Sequence, residues 1–232
     1  MVRDGTGGWR HPPFFSWLAI RMAQPTAEVR AARRRLRALR LAIEPRERSA
    51  AEAAIRATLD GLGIFRRGGR IALYLPLPGE VDLRSCLPDA WRRGVETYVP
   101  RIVSRRRRLM TFVPLAPGST ARLNSYGIEE PAAATRCLAA VGLDVVLVPV
   151  VGFDRRGNRL GMGAGFYDRA LRRRLDAGRP WRRPRLVGVA FARQELPGIA
   201  ASAWDVPLDL IVTELGLVVP EHHPVTRQGS AR

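Results

Sequence analysis

Residues 143–169, LDVVLVPVVGFDRRGNRLGMGAGFYDR, join three patterns in one stretch. Leu143 to Phe153 is almost continuous valine and leucine, the composition of a central strand in a sheet covered on both faces. Asp154 to Asn158 reads as a tight polar turn, in which Gly157 and Asn158 are residue types that tolerate positive φ. Three glycines follow on alternate positions, Gly161, Gly163 and Gly165, and Phe166 to Leu175 has the pattern of a helix. Strand, glycine-rich loop and helix in succession point to an α/β fold. Backbone N–H groups at such a strand end and helix start can hold a phosphate. Arg159 places a cation before the loop and Asp168 a hard carboxylate after it, the two side chains that a nucleotide with Mg²⁺ requires. The same glycines would equally serve a loop that needs small residues for packing. The spacing is neither G-x-G-x-x-G nor a P-loop with G-K-[ST], so neither motif carries the assignment.

The 232 residues are enough for one α/β domain with a substantial core. The formal net charge is +18, and all 39 basic residues are arginine. Clustered cations suit a nucleic-acid partner, but no nucleic-acid-binding motif accompanies them, so none is expected. An arginine-rich solvated surface accounts for the same excess, and a positive field favours anionic ligands in general. Two cysteines, Cys86 and Cys137, make neither a disulfide framework nor a zinc site, which sets a cytoplasmic location as the expectation. No apolar segment approaches a membrane span in length. Residues 1–25, rich in glycine and proline, read as an irregular extension, 26–219 as one α/β domain, and 220–232 as a loose tail in which His222 and His223 are surface residues.

Thr26 to Leu59 reads as two helical pieces broken near Pro45. Val29, Leu36, Leu39 and Ile43 form one face of the first piece, and Arg30, Arg33, Arg34 and Arg37 another. That charged row by itself is a solvated helix face. Strands are expected at Ile71–Leu75, Val95–Ile102, Leu109–Leu115, Leu186–Ala192 and Leu208–Thr213, and a helix at Val81–Arg93 with Pro88 marking its start or a kink. A very basic turn, Ser104 to Arg108, implies one antiparallel pairing.

The string Phe153, Asp154, Arg159, Leu160, Gly161, Gly163, Gly165, Phe166, Tyr167, Asp168, in that order, resembles the signature of the 5-formyltetrahydrofolate cyclo-ligases. The likeness runs from about Val29 to Glu214, and includes NSYGIEEP at 124–131 and WDVPLD at 204–209. It implies a three-layer, Rossmann-like α/β sandwich with a largely parallel sheet. It also implies ATP-dependent conversion of 5-formyltetrahydrofolate, with or without a polyglutamate tail, to 5,10-methenyltetrahydrofolate, with Mg²⁺, by a monomer. A non-catalytic folate- or RNA-binding protein on the same scaffold is the alternative.

The resemblance assigns Arg33 to the nucleotide phosphates. The lysine that precedes this arginine by four residues in the family falls at Val29, a departure that leaves Arg30 to supply the cation. Arg159, Leu160, Gly161, Met162, Gly163, Ala164, Gly165, Phe166 and Tyr167 would form the nucleotide loop, with Arg159 and Asp168 as catalytic residues. Leu75, Glu80, Tyr126, Met162 and Phe166 would line the folate, and Asp168 and Asp205 would hold Mg²⁺.

Overall fold

The computed structural model describes residues 2–3, 9–10, 26–123, 129–132, 136–176 and 183–221. Tyr126, His222 and His223 therefore lie outside the described residues. Helix α1, Ala27–Leu41, opens at Thr26, whose hydroxyl accepts the N–H of Val29 at 3.2 Å. Helix α2, Pro45–Gly61, begins on proline at the position where the missing N–H costs nothing, so the expected break falls there. Strand β1 is Arg70–Ala72. A 3₁₀ turn, Arg84–Cys86, leads into α3, Leu87–Arg92, so Pro88 marks a helix start and Val81 and Leu83 precede it as buried non-helical chain. Then come β2, Glu96–Ser104, and β3, Leu109–Pro114. Strand β4 is Val145–Pro149, β5 Gly152–Phe153, β6 Arg159–Leu160, α4 Phe166–Leu171 with a 3₁₀ extension to Leu175, β7 Arg185–Val189, β8 Leu210–Thr213 and β9 Gly216–Val218.

One seven-stranded sheet runs in the order β9-β8-β7-β4-β1-β2-β3. The five inner strands are parallel, and β9 and β3 pair antiparallel at the two edges. Its two faces bury different side chains of the same strands. Leu147, Val187 and Val212 pack with Ala51, Ile55 and Leu59 of α2 and with Leu87 and Ala90 of α3. Val146, Val148, Leu186 and Ile211 pack with Leu171 of α4. Helices on both faces make the expected three layers. No helix among the described residues is long and apolar enough to cross a membrane.

Three sequence expectations need correction. The single strand over Leu143–Phe153 is two, because Val150 and Val151 leave the sheet. Their carbonyls instead accept the side-chain amide of buried Gln194, at 2.8 and 2.9 Å. Leu39 is 37% exposed, and the buried row of α1 continues from Leu36 through Arg40 to Ile43 just beyond its end. Residues 1–25 include two short paired strands, Val2–Arg3 with Trp9–Arg10. The edge strand β9 was not expected at all.

Strand β1 lies between β2, the next sheet strand in the chain, and β4, which comes later. The chain therefore winds outward in opposite directions from the β1–β4 boundary. At such a switch point the loops leaving the strand ends diverge and open a crevice for ligands. The two loops that leave there are 73–83 and 150–165.

Candidate active site

The loop after β4 is built around Asp154. Its carboxylate is fully buried and accepts four N–H groups, from Arg156 N at 3.0 Å, Asn158 N at 2.9 Å, Asn158 Nδ2 at 3.0 Å and Ile199 N at 2.9 Å. This saturated carboxylate closes the β5–β6 hairpin, in which Phe153 pairs with Arg159 and Gly152 with Leu160. Gly157 takes the positive φ at the turn, +83°, whereas Asn158 does not have positive φ. Helix α1 packs on the hairpin through Leu36 against Val151 and Leu160, with Val29 and Ala32 beside them.

That packing brings Arg33 over the glycine loop. Its Nε donates to the carbonyl of Gly161 at 2.8 Å. At Gly163, with φ +94°, an added Cβ would stand 3.4 Å from the Arg33 guanidinium carbon. Gly165, φ +69°, starts α4, and no side chain caps that end. Phe166, Tyr167 and Asp168 are the first residues of the helix, all partly exposed, while Met162 is 48% exposed and Ala164 partly buried. Arg30 is exposed on α1, one turn before Arg33. Burial lowers the Arg33 pKa from its ordinary value, and the guanidinium stays charged.

Arg159 and Asp168 meet. The Nη2 of Arg159 donates to Asp168 Oδ1 and its Nη1 to the carbonyl of Val206. Val206 N donates to the same Asp168 oxygen at 3.3 Å. The WDVP segment is therefore tied to the start of α4, which brings Asp205 into the neighbourhood of Asp168. The Oδ2 of Asp205 also accepts Ser202 N at 2.8 Å, a turn-capping bond. Expected on phosphate oxygens, Arg159 here braces Asp168, with only 6% of its side chain exposed. Carboxylates such as Asp168 and Asp205 suit a hard divalent cation that keeps waters and phosphate oxygens as its other ligands. Among the described residues no group of three or more His, Cys, Asp or Glu side chains gathers to hold a metal unaided.

The loop after β1 supplies the other wall. Glu80 has a side chain only 7% exposed. Its Oε2 accepts Leu77 N at 3.0 Å, and its Oε1 faces Arg40 Nη2 at 3.5 Å. Burial raises the Glu80 pKa, while the Leu77 N–H and Arg40 pull it back. Tyr74 is buried in the core under α2 and α3, and Leu75 is partly buried against the same core. The charge of Glu80 is felt at both Tyr74 and Tyr167, and burial pushes both phenols up, so both remain neutral donors. The loop after β1 and the start of α4 are thus coupled electrostatically through Glu80 and Tyr167.

Sequence reasoning missed Arg40, Tyr74 and Arg48. Arg40 carried a readable signal, as a charge in the apolar row between Leu36 and Ile43. The other two became visible only with the fold. Arg33→Met removes both the cation and its anchor on Gly161. In the nucleotide-binding role that the sequence resemblance implies for Arg33, the KM for ATP is expected to rise about tenfold or more, with kcat less affected, because charged hydrogen bonds contribute about 1.5–3 kcal/mol. Steady-state kinetics with varied ATP measures it, and an unchanged KM would take Arg33 out of the nucleotide site.

The profile of the 5-formyltetrahydrofolate cyclo-ligase family matches residues 25–214. A 5-formyltetrahydrofolate cyclo-ligase of Haemophilus influenzae is 32% identical over 151 residues, covering 63% of this chain and 77% of its own. The Escherichia coli K12 protein of that name is 33% identical over 146 residues, 62% of this chain and 76% of its own. The NMR structure of Aquifex aeolicus 5,10-methenyltetrahydrofolate synthetase superposes with a TM-score of 0.70 at 26% identity, over 87% of this chain and 99% of the other. The matched span takes in α1, both crevice loops and the WDVP segment, so the chain belongs to the 5-formyltetrahydrofolate cyclo-ligase family.

Proposed function

We propose that this chain catalyses the ATP-dependent cyclisation of 5-formyltetrahydrofolate to 5,10-methenyltetrahydrofolate, releasing ADP and phosphate. One observation carries the residue assignment: Arg33 of α1 rests on the Gly161 carbonyl of the glycine loop, and the neighbouring loop from the same switch point carries the buried Glu80. A cation and a glycine loop suit a triphosphate, and a buried acceptor carboxylate suits the N–H edge of an aminopyrimidine ring.

The chemistry follows from a poor leaving group. The formamide oxygen of the substrate cannot depart as such. Transfer of the γ-phosphoryl group to it, with ADP leaving, gives a phosphorylated iminium. The folate N10 attacks the formyl carbon and gives up its proton, the carbon–oxygen bond breaks, and phosphate departs with that oxygen and, in net balance, that proton. The protein's task is to position the reactants and neutralise charge. In this reading Arg33 and the backbone of Gly161, Gly163 and Gly165 grip phosphate oxygens, with Leu160, Met162, Ala164, Phe166 and Tyr167 lining the nucleotide and Arg30 adding positive potential. Leu75, Glu80, Met162 and Phe166 line the folate. Asp168 and Asp205 would hold Mg²⁺, which when bound offsets the negative charge of the phosphates, and Arg159 keeps Asp168 in place. The chain is read as a cytoplasmic monomer acting on the folate with or without a polyglutamate tail. Sedimentation of the purified chain tests the monomer.

The deciding experiment measures phosphate release with ATP, with and without 5-formyltetrahydrofolate and Mg²⁺, alongside the absorbance of the methenyl product. Release that requires all three components is expected. Release independent of the folate, or none, sinks the reading.

A further inference from the structure

Arg40 sits at the end of α1 with 2% exposure, a charged side chain in a row that is otherwise apolar. Only one carboxylate faces it, Glu80 at 3.5 Å, and Nε and Nη1 lie buried without a hydrogen-bond partner among the described residues. A buried pair with such sparse bonding is a poor stabiliser, because desolvating the guanidinium costs more than one long contact returns. An aliphatic residue between Leu36 and Ile43 would fill the space at lower cost. The guanidinium nevertheless has a defined place. Arg48 of α2 donates from Nη2 to the carbonyl of Arg40 and from Nη1 to the carbonyl of Glu80 at 3.4 Å. The Arg48 guanidinium itself stands 5.0 Å from the centre of the Phe191 ring. One side chain therefore fastens the backbones of both members of the pair.

We infer that Arg40 is a positioning residue for the folate: its guanidinium, 3.5 Å from Glu80 Oε1, holds that carboxylate in place as an acceptor for N–H groups of the substrate ring. The inference rests on the proposed cyclo-ligase reading, in which Glu80 receives that ring. Each group around Glu80 fits the role. Arg37 on α1 adds positive potential from outside, Leu77 N holds Oε2, Tyr74 and Tyr167 contribute neutral phenols, and Asp82, across from Tyr74, is itself paired with Arg84. Burial works against the charged carboxylate, with Arg40 and Leu77 N as its main counterweights. Without Arg40, Glu80 takes up a proton at a higher pH and becomes a donor where the substrate needs an acceptor.

The test compares wild type with Arg40→Met, Arg40→Lys and Glu80→Gln, using folate-dependent phosphate release from pH 6.5 to 9. Arg40→Met is expected to raise the KM for 5-formyltetrahydrofolate several-fold at the acid end of this range, where loss of the neighbouring cation most favours the protonated carboxyl. The effect falls on that KM, with little change in the KM for ATP, and shrinks as the pH rises because the carboxyl is again ionised. Arg40→Lys, which keeps the charge, recovers most of the loss, and Arg40→Gln, which removes the charge but keeps a polar side chain, replaces Arg40→Met if that variant does not fold. In a Glu80→Gln background, Arg40→Met adds no further pH dependence. A wild-type folate KM in both Arg40 variants, or a defect of equal size at every pH, overturns the inference while leaving the cyclo-ligase reading standing. Failure of wild type itself to release phosphate with the folate overturns both.

Discussion

Replacing Asp168 by asparagine is expected to lower kcat/KM by about 10²–10³-fold, the loss seen when one preorganised charge is removed from a reacting site. The substitution keeps shape and bonding while deleting charge. Asparagine can still accept the Val206 N–H and the Arg159 guanidinium through its side-chain oxygen, so the tie between α4 and the WDVP segment survives. Asp168 is 29% exposed, and its surface charge is partly screened, so the melting temperature should move by only a few degrees. What disappears is the negative charge that would draw a divalent cation, and Arg159 is left with no carboxylate to balance it. The Mg²⁺ concentration for half-maximal activity should therefore rise along with the loss of rate. Near-normal turnover in Asp168→Asn at ordinary Mg²⁺ would falsify the metal assignment.

How legible this site was depended on the sequence distance over which its parts interact. The glycine loop could be read because a strand, a turn and a helix start are local patterns. Pro45 announced the boundary between α1 and α2 for the same reason, as its ring permits only the first turn of a helix. The pairing of Arg159 with Asp168 spans nine residues, and both were in view, but their contact with each other was not, because it depends on how α4 folds back over β6. The Arg40–Glu80 pair spans 40 residues and the Arg33–Gly161 contact 128. No periodicity reports such distances, although the charge within an apolar row marked Arg40 as a position that needed a partner. The split of the central strand was hidden in a similar way. Val150 and Val151 have every local preference for a strand, and the side chain of Gln194, more than 40 residues later, takes the hydrogen bonds that a neighbouring strand would have made. Strand β9 was missed because three short residues, Gly216–Val218, carry too little pattern to compete with a turn.

Gly152→Val tests whether the proposed nucleotide site depends on the docking of α1, and its expected effect is large in two readouts at once. A Cβ at this position would meet Leu36 Cδ1 at 2.7 Å, Leu196 Cδ1 at 3.2 Å and the Gln194 carbonyl at 3.3 Å. Leu36 has no exposed surface and the Gln194 carbonyl is backbone, so relief of the strain is expected to shift α1 away from the hairpin. Overpacking of this kind costs about 1–3 kcal/mol, or roughly 2–4 °C in melting temperature for each kcal/mol in a chain of this size. Arg33 lies one turn before Leu36 on the same helix, so the same displacement lifts it from the Gly161 carbonyl. The KM for ATP should rise with the loss of stability. The KM for the folate should rise less, because Glu80 is also held by Leu77 N and by Arg48 of α2. The decisive comparison adds Leu36→Ala. Alone, that substitution should destabilise by about 2–5 kcal/mol through the cavity it opens. Combined with Gly152→Val it should cost less than the sum, with a coupling of about 1 kcal/mol, because the valine methyls enter the space that the leucine has left. Additive costs, or a Gly152→Val enzyme that melts lower yet binds ATP as tightly as wild type, would separate the packing of α1 from the nucleotide site and leave Arg33 without its structural reason for being there.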